Sequence, residues 1–425
     1  MSLSILCTGD IHLGRHPAQI ADQPDPKALS PTGAWRNFVQ TALNRRVDIV
    51  ALTGDIVDES NKFFEAYSVL HDGVQQLVDA GIQVLAVAGN HDYDVLPRLA
   101  DQLPGFRLLG RGGKWEEWLY ESPQGQQLSF QGWSFPSQHV WGNPLEGYPG
   151  PVGETTIGLL HCDCDAPGSS YGPVSLTQLR DTGVTAWLLG HVHGPEILHD
   201  AHPLVVYPGS LQGLSPREPG MHAAVLVTIE PGPTVQLEHL PLAPLRWEHL
   251  QVALDDVDTE GSLQLALTSA LEHCHDTVYQ QGGDTRLVAC RLKLQGHTPL
   301  YPKLSDLMAT AQEYLRPKYD GIAYFIEKVH IAARPQLDLE QIASSSDPAG
   351  LLARRIQTLE SGEPPDDYQR LLAEGRAAMR RVKERNQFIP LQLAEPDDEQ
   401  VREALLEAGL RALDALMMQK QESTH

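Results

Sequence analysis

The stretch LSILCTGDIH, residues 3–12, is a short apolar run of strand length that stops at a glycine and delivers Asp10 and His12. Four more segments follow the same grammar: residues 47–52 before Gly54-Asp55, 82–88 before Gly89-Asn90-His91-Asp92, 156–160 before His161, and 185–189 before Gly190-His191-Val192-His193. Each run has strand length and ends abruptly in polar residues. Between the first runs, residues 34–46 and 63–80 carry apolar side chains at helical spacing and read as crossover helices. Strands alternating with helices indicate an α/β layered domain whose strands bring polar residues to one edge. Residues 115–135, 222–229 and 235–240 read as antiparallel hairpins, so the sheets are expected to be mixed.

Working outward, a length of 425 residues implies two or three domains, and a hydrophobic content of 41% supports a packed core through most of the chain. After Pro241 and Pro244 the pattern restarts as strand 248–254, helix 262–279, strand 286–295, helix 303–315 and strand 322–330. Leu292 and Leu294 alternate there with Arg291, Lys293 and Gln295, giving one buried and one wet face. From Arg334 onward the sequence is helical and charged, interrupted at Ser344-Ser345-Ser346 and Pro364-Pro365. The expected organisation is a first domain at 1–240, a small α+β domain at 241–335 and a helical region at 336–425.

The formal net charge of −23 argues against a broad basic surface for nucleic acid, although bound divalent cations invert the sign of a carboxylate-rich pocket. Five cysteines without a repeated spacing read as free thiols of a reducing compartment. No apolar run approaches the roughly 18 residues that span a bilayer, so the expectation is a cytoplasmic protein without membrane association.

The strand-end residues form a mixed set of imidazole, carboxylate and amide oxygen, which suits Mn, Fe or Zn. On an extended chain i and i+2 point to one side, so Asp10 with His12, and His191 with His193, can each offer two ligands to one pocket. The glycine before Asp55, Asn90 and His191 allows a sharp turn and a close approach to an ion or phosphate. The order Asp-x-His, Gly-Asp, Gly-Asn-His-Asp, His, Gly-His-x-His resembles the calcineurin-like metallophosphoesterases over about residues 3–230. That resemblance implies a four-layer α-β-β-α sandwich and two divalent metal ions, with Mn²⁺ as the expected metal. One ion would be held by Asp10, His12, Asp55 and His193, and the other by Asp55, Asn90, His161 and His191, with Asp55 bridging. His91 would protonate the leaving oxygen, and Asp92 would orient it.

Within the superfamily, Asp10-Ile11-His12-Leu13-Gly14, Gly89-Asn90-His91-Asp92 and Tyr207-Pro208-Gly209-Ser210 resemble the DNA repair exonuclease branch, of SbcD-like and YhaO-like type. The resemblance implies a capping domain, a helical tail, DNA as substrate and an SbcC-type coiled-coil ATPase as partner, with endonuclease activity and homodimerisation left open. A phosphatase or small-molecule phosphodiesterase uses the same two-metal centre, and a noncatalytic ATPase scaffold is the third reading. Arg376, Arg380, Arg381, Lys383 and Arg385 form a basic helical face, with Glu374 and Glu384 as neighbours that could pair with it. Val401, Leu405, Ala408, Ala412, Leu413, Leu416 and Met417 recur at helical spacing. That stripe is expected to dock on the ATPase, approached through Pro364-Pro365 and Pro390, or else on the protein's own cap.

Overall fold

The five apolar runs become strands because both of their faces are covered. In the computed structural model, which describes all residues except 1, 18–19, 21–22, 24, 59–63, 231–234, 337, 384–395 and 423–425, β1 (Leu3–Thr8), β2 (Ile49–Leu52), β3 (Gln83–Ala86) and β4 (Phe106–Leu108) pair in parallel. Two antiparallel strands, β11 (Ala224–Ile229) and β12 (Val235–Leu240), complete this sheet in the order β12-β11-β1-β2-β3-β4. The second sheet contains β5 (Glu116–Glu121), β6 (Gln127–Trp133), β7 (Thr156–His161), β8 (Ala186–Gly190), β9 (Glu196–His199) and β10 (Leu204–Tyr207), in the order β5-β6-β7-β8-β10-β9.

Side-chain alternation sorts the core into layers. Ile5, Cys7, Ile49, Ala51 and Leu85 of the first sheet pack against Phe130, Ile157, Leu159, Leu188 and Val206 of the second. The intervening positions Leu6, Val50, Leu52, Val84 and Ala86 turn the other way, onto Trp35, Phe38, Val39, Leu70 and Val74 of α1 (Pro31–Arg45) and α2 (Phe64–Asp79). On the far side, Leu160, Trp187, Leu189 and Val205 pack with Leu179 of α4 (Leu176–Asp181). The result is the expected α-β-β-α sandwich. A short helix, α3 (Leu96–Ala100), and β4, which is too short for periodicity to announce, lie between β3 and the β5–β6 hairpin.

Farther along the chain come β13 (Leu245–Ala253), α5 (Glu260–Gln281), β14 (Leu287–Gln295), β15 (His297–Thr298), α6 (Tyr301–Tyr314), β16 (Lys318–Tyr319), β17 (Ile322–Ile331) and β18 (Arg334–Pro335). Four of them form the sheet β13-β14-β17-β16. Helices α7 (Leu339–Ala343), α8 (Pro348–Ser361), α9 (Pro365–Lys383) and α10 (Asp398–Glu422) make up the helical C-terminal region. The chain divides into two compact units, Met1–Leu250 with Leu271–Arg291 and Tyr314–Lys328, and Gln251–Ala270 with Leu292–Glu313 and Val329–His425.

In the second unit α10 packs on α8 and α9. Val401 and Leu413 are fully buried, Leu413 with Ala349, Ala353 and Ile356. Leu406, Leu410, Leu416 and Met417 share this face, Leu405 lies against Gly375 of α9, and Ala408 and Ala412 are exposed, so the stripe runs through Leu406 and Leu410 instead of the two alanines and its partners are the chain's own helices. Arg376 pairs with Asp398 of α10; Glu384, Arg385 and Pro390 lie outside the described residues.

Candidate metal centre

The polar edge of the sandwich is built by two loops that prolong the pairing of β1 and β2. Asp10 N–H donates to the Gly54 carbonyl at 2.9 Å, His12 N–H to Asp55 O at 3.0 Å and Leu13 N–H to Ile56 O at 2.8 Å. Along this ladder Asp10, His12 and Asp55 hold positive φ values of 50°, 51° and 51°, and His191 reaches 102°. L-residues rarely adopt this region, Asp and His more readily than most, and such strain gathers at functional sites. Asp10 and His12 therefore share a pocket through two left-handed residues, and not through the alternation of an extended chain.

The glycines serve the approach of the strand ends to one another. A Cβ on Gly190 would lie 1.9 Å from Thr53 O and 2.7 Å from His161 Nδ1; Gly54, at φ 98°, would place one 2.6 Å from the same nitrogen.

Two groups of donors converge, Asp10 with His12 and His193, and Asp10 with Asp55 and His161, the ligand atoms of each lying within 4.8 Å of one another. His161 makes the chemistry legible. Its Nδ1 is 3.0 Å from Thr53 O, a pure acceptor, so the proton sits on Nδ1. The lone pair on Nε2 then faces Asn90 Oδ1 at 3.0 Å and Asp55 Oδ2 at 3.5 Å. Three electron-pair donors meeting without a proton between them fit a cation. His12 repeats the pattern: it is buried, and neither ring nitrogen completes a hydrogen bond. The residues present therefore fit a divalent metal pair. Asp10 stands in both donor groups, while the family resemblance gives the bridging role to Asp55.

His193 directs Nε2 toward Asp10 Oδ1 at 3.8 Å. His191 is placed differently: its ring meets His161 edge-on at 5.3 Å, its Nε2 lies 3.9 Å from Asp163 Oδ2, and its backbone N–H donates to both oxygens of Asp10 at 3.2 and 3.1 Å. Burial and the neighbouring His161 depress its pKa to about 4, keeping the ring a neutral donor. Burial would raise the Asp55 pKa, but His161, His12 and His91 and the His91 N–H hold it below the usual carboxylate range.

His91 belongs to neither donor group. Its N–H donates to Asp55 Oδ1 at 2.8 Å, and its half-buried ring stands edge-on to His12 at 5.0 Å. Asp92 does not sit as a direct side-chain partner for it. Fully buried, Asp92 accepts from the backbone N–H groups of Gly89 at 2.8 Å, Ile56 at 2.7 Å and Val57 at 3.4 Å, clamping the turn that carries Asn90 to the loop that carries Asp55. Burial and the nearby Asp55 charge push its pKa up to about 8 against these three donors.

Two carboxylates escaped the motif reading. Asp58 Oδ2 lies 3.3 Å from His12 Nδ1, and Glu218 Oε1 lies 3.2 Å from His193 Nδ1, with Glu218 Oε2 anchored by the Leu214 N–H at 2.8 Å. Hydrogen-bonded behind the His193 imidazole, Glu218 fixes its tautomer and raises its basicity toward a metal, while Asp58 approaches His12 without completing a hydrogen bond. Asp58 could have been suspected from Gly54-Asp55-Ile56-Val57-Asp58, whereas Glu218 comes from a separate loop with no spacing to announce it. Glu218→Gln is expected to weaken binding at the His193 position about 10- to 100-fold, read by metal titration against a chelator.

The family model described as calcineurin-like phosphoesterase matches residues 3–195, and that described as the middle domain of metallophosphoesterase YhaO matches residues 247–334. Over 321 residues the chain is 26% identical to the Bacillus subtilis (strain 168) protein described as uncharacterized metallophosphoesterase YhaO, covering 70% of this chain and 72% of that protein. It is also 26% identical over 231 residues to the DNA double-strand break repair protein Mre11 of Aeropyrum pernix, a match spanning 50% of this chain and 54% of that protein. Among solved structures, a dimetal phosphatase from Danio rerio aligns with 55% of this chain and 98% of its own, at 14% identity and a TM-score of 0.36. Residues 3–195 of this chain therefore form a calcineurin-like metallophosphoesterase domain, homologous to that of the YhaO and Mre11 proteins.

Proposed function

We propose that the protein is a two-metal DNA phosphodiesterase, an exonuclease with endonuclease capacity that works in DNA repair. The observation that carries the hydrolase is the pair of donor groups sharing Asp10. The nucleic-acid substrate is supported by the similarity, across half the chain, to a protein named for double-strand break repair.

Two bound divalent ions supply Lewis-acid polarisation of the phosphoryl group and an activated water. The protein's own part is positional. Asp10, His12 and His193 form one set of donors; Asp10, Asp55 and His161, with Asn90 and His191 beside them, form the other. Asp92 holds the two loops in register, and His91 carries the proton for the leaving oxygen. Mn²⁺ suits this mixture of imidazole and carboxylate and completes the reading.

The net charge of −23 favours a partner that supplies basic surface, and we propose an SbcC-type coiled-coil ATPase in that role. The working compartment in this reading is the cytoplasm, in keeping with five free cysteines; no helix among the described residues is long and apolar enough to cross a membrane.

One panel tests the proposal: the full chain with Mn²⁺, Mg²⁺ or chelator, against end-labelled duplex, single-stranded circles and small phosphodiesters. Mn²⁺-dependent shortening of the duplex is expected. Turnover of phosphomonoesters or small diesters with intact DNA would replace the nuclease with a small-molecule phosphoesterase.

A further inference from the structure

The turn Tyr207-Pro208-Gly209-Ser210 supplies no member of either donor group, yet it runs directly against His193. Gly209 holds φ 79°, and a Cβ there would lie 2.7 Å from His193 O. Ser210 bridges to Gly9, the residue before Asp10, and its N–H donates to His193 O at 2.9 Å. Its fully buried hydroxyl lies 2.8 Å from Nδ1 of His222, which is also buried and whose Nε2 lies 3.3 Å from the Glu218 carbonyl. A Cβ on Gly213 would come within 2.5 Å of that carbonyl and 3.2 Å of His222 Nε2, so only glycine lets the loop close here.

The partners fix each proton in this set. The Glu218 carbonyl only accepts, so His222 carries its proton on Nε2; the other tautomer would set a lone pair against a carbonyl oxygen. His222 Nδ1 then accepts from the Ser210 hydroxyl, at a shorter distance than the Gln212 carbonyl at 3.1 Å. The Glu218 carboxylate likewise only accepts, at 3.2 Å from His193 Nδ1, which leaves the His193 Nε2 lone pair on the side of Asp10. A ring of hydrogen bonds closes: Ser210 O–H to His222, His222 N–H to Glu218, His193 N–H to Glu218, and Ser210 N–H to His193.

We propose that Ser210 and His222 are positioning residues for the His193 metal position and act through Glu218. His222 holds the Glu218 backbone, and Ser210 holds both His222 and the His193 backbone. The His193 imidazole thus presents Nε2 in one tautomer and one orientation before a metal arrives. The inference rests on the metal centre and not on DNA as substrate.

The test reads the histidines directly, in the full chain without metal and with nitrogen-labelled histidine. Long-range proton–nitrogen NMR spectra should show His193 as the single Nδ1–H tautomer, and His161, held by Thr53 O, in the same form. His222→Phe should leave His161 unchanged and turn His193 into a mixture of tautomers, with metal binding about 10- to 100-fold weaker in competition with a chelator. His222→Gln, whose amide can still donate to the Glu218 carbonyl, should recover most of that loss, whereas His222→Asn, which reaches only Ser210, should not. Added to Glu218→Gln, His222→Phe should weaken metal binding by no more than about twofold, because both act on one bond. If the phenylalanine variant does not fold, the comparison of glutamine with asparagine decides alone. Independent losses in the double variant, an unchanged His193 tautomer in His222→Phe, or asparagine serving as well as glutamine would overturn the proposal and leave His222 a packing residue. The spectra are taken without metal or DNA, so failure of the nuclease reading leaves this result standing.

Discussion

Asp55→Ala is expected to cost the protein metal and to slow phosphodiester hydrolysis by about 1,000-fold or more, about 4 kcal/mol of transition-state stabilisation. Asp55 is 2% exposed, and its carboxylate lies 3.5 Å from His161 Nε2 with His12 and His91 also nearby. Its loss leaves Asn90 Oδ1 and His161 Nε2 without the carboxylate that faces His161, with Asp10 as the remaining carboxylate of the group. The chain should still fold, because Asp92 continues to clamp Ile56 and Gly89. Elemental analysis of the variant beside Asp10→Ala decides which carboxylate bridges. Family resemblance gives Asp55 both ions, whereas the donor groups place Asp10 in both. One ion retained in Asp55→Ala and none in Asp10→Ala would assign the bridge to Asp10. Two ions and full hydrolysis in Asp55→Ala would refute the centre as described.

The second large effect is expected at His91. His91→Asn should keep both ions and slow cleavage about 100- to 10,000-fold, the cost of removing a general acid. The side chain is half-buried beside His12, outside both donor groups, and its backbone already fixes Asp55, so the substitution removes the ring and leaves the Asp55 hydrogen bond in place. A diester with a 4-nitrophenolate leaving group should suffer much less, since that oxygen departs without a proton. Equal losses on good and poor leaving groups, or loss of metal, would make His91 a binding residue instead.

The C-terminal stripe shows how far a pattern reaches. Helical spacing from Val401 to Met417 correctly announced α10 but not what covers it. The buried side proved to be the one facing α8, with Leu413 among Ala349, Ala353 and Ile356, while Ala408 and Ala412 turned to solvent. Alanine fits either face, so periodicity alone could not place it.

The polar strand ends were legible in LSILCTGDIH and its four counterparts because a fully buried strand must be a continuous apolar run, and its end is the first place polar atoms can appear. Local sequence thus determined the layered α/β domain, the crossover helices and the residue types gathered at one edge, and the family resemblance implied the four-layer sandwich. What it could not determine was how those residues face one another. The left-handed backbone at Asp10, His12 and Asp55 follows from the ladder between two loops 45 residues apart, not from either loop alone. The role of Asp92 as a clamp depends on Ile56 and Val57, and the carboxylate behind His193 comes from Glu218 on another loop. Hydrogen bonds and charges act through space at about 3 Å, so partners distant in sequence are chosen only when the sheets bring them together, and the tertiary structure alone made that choice.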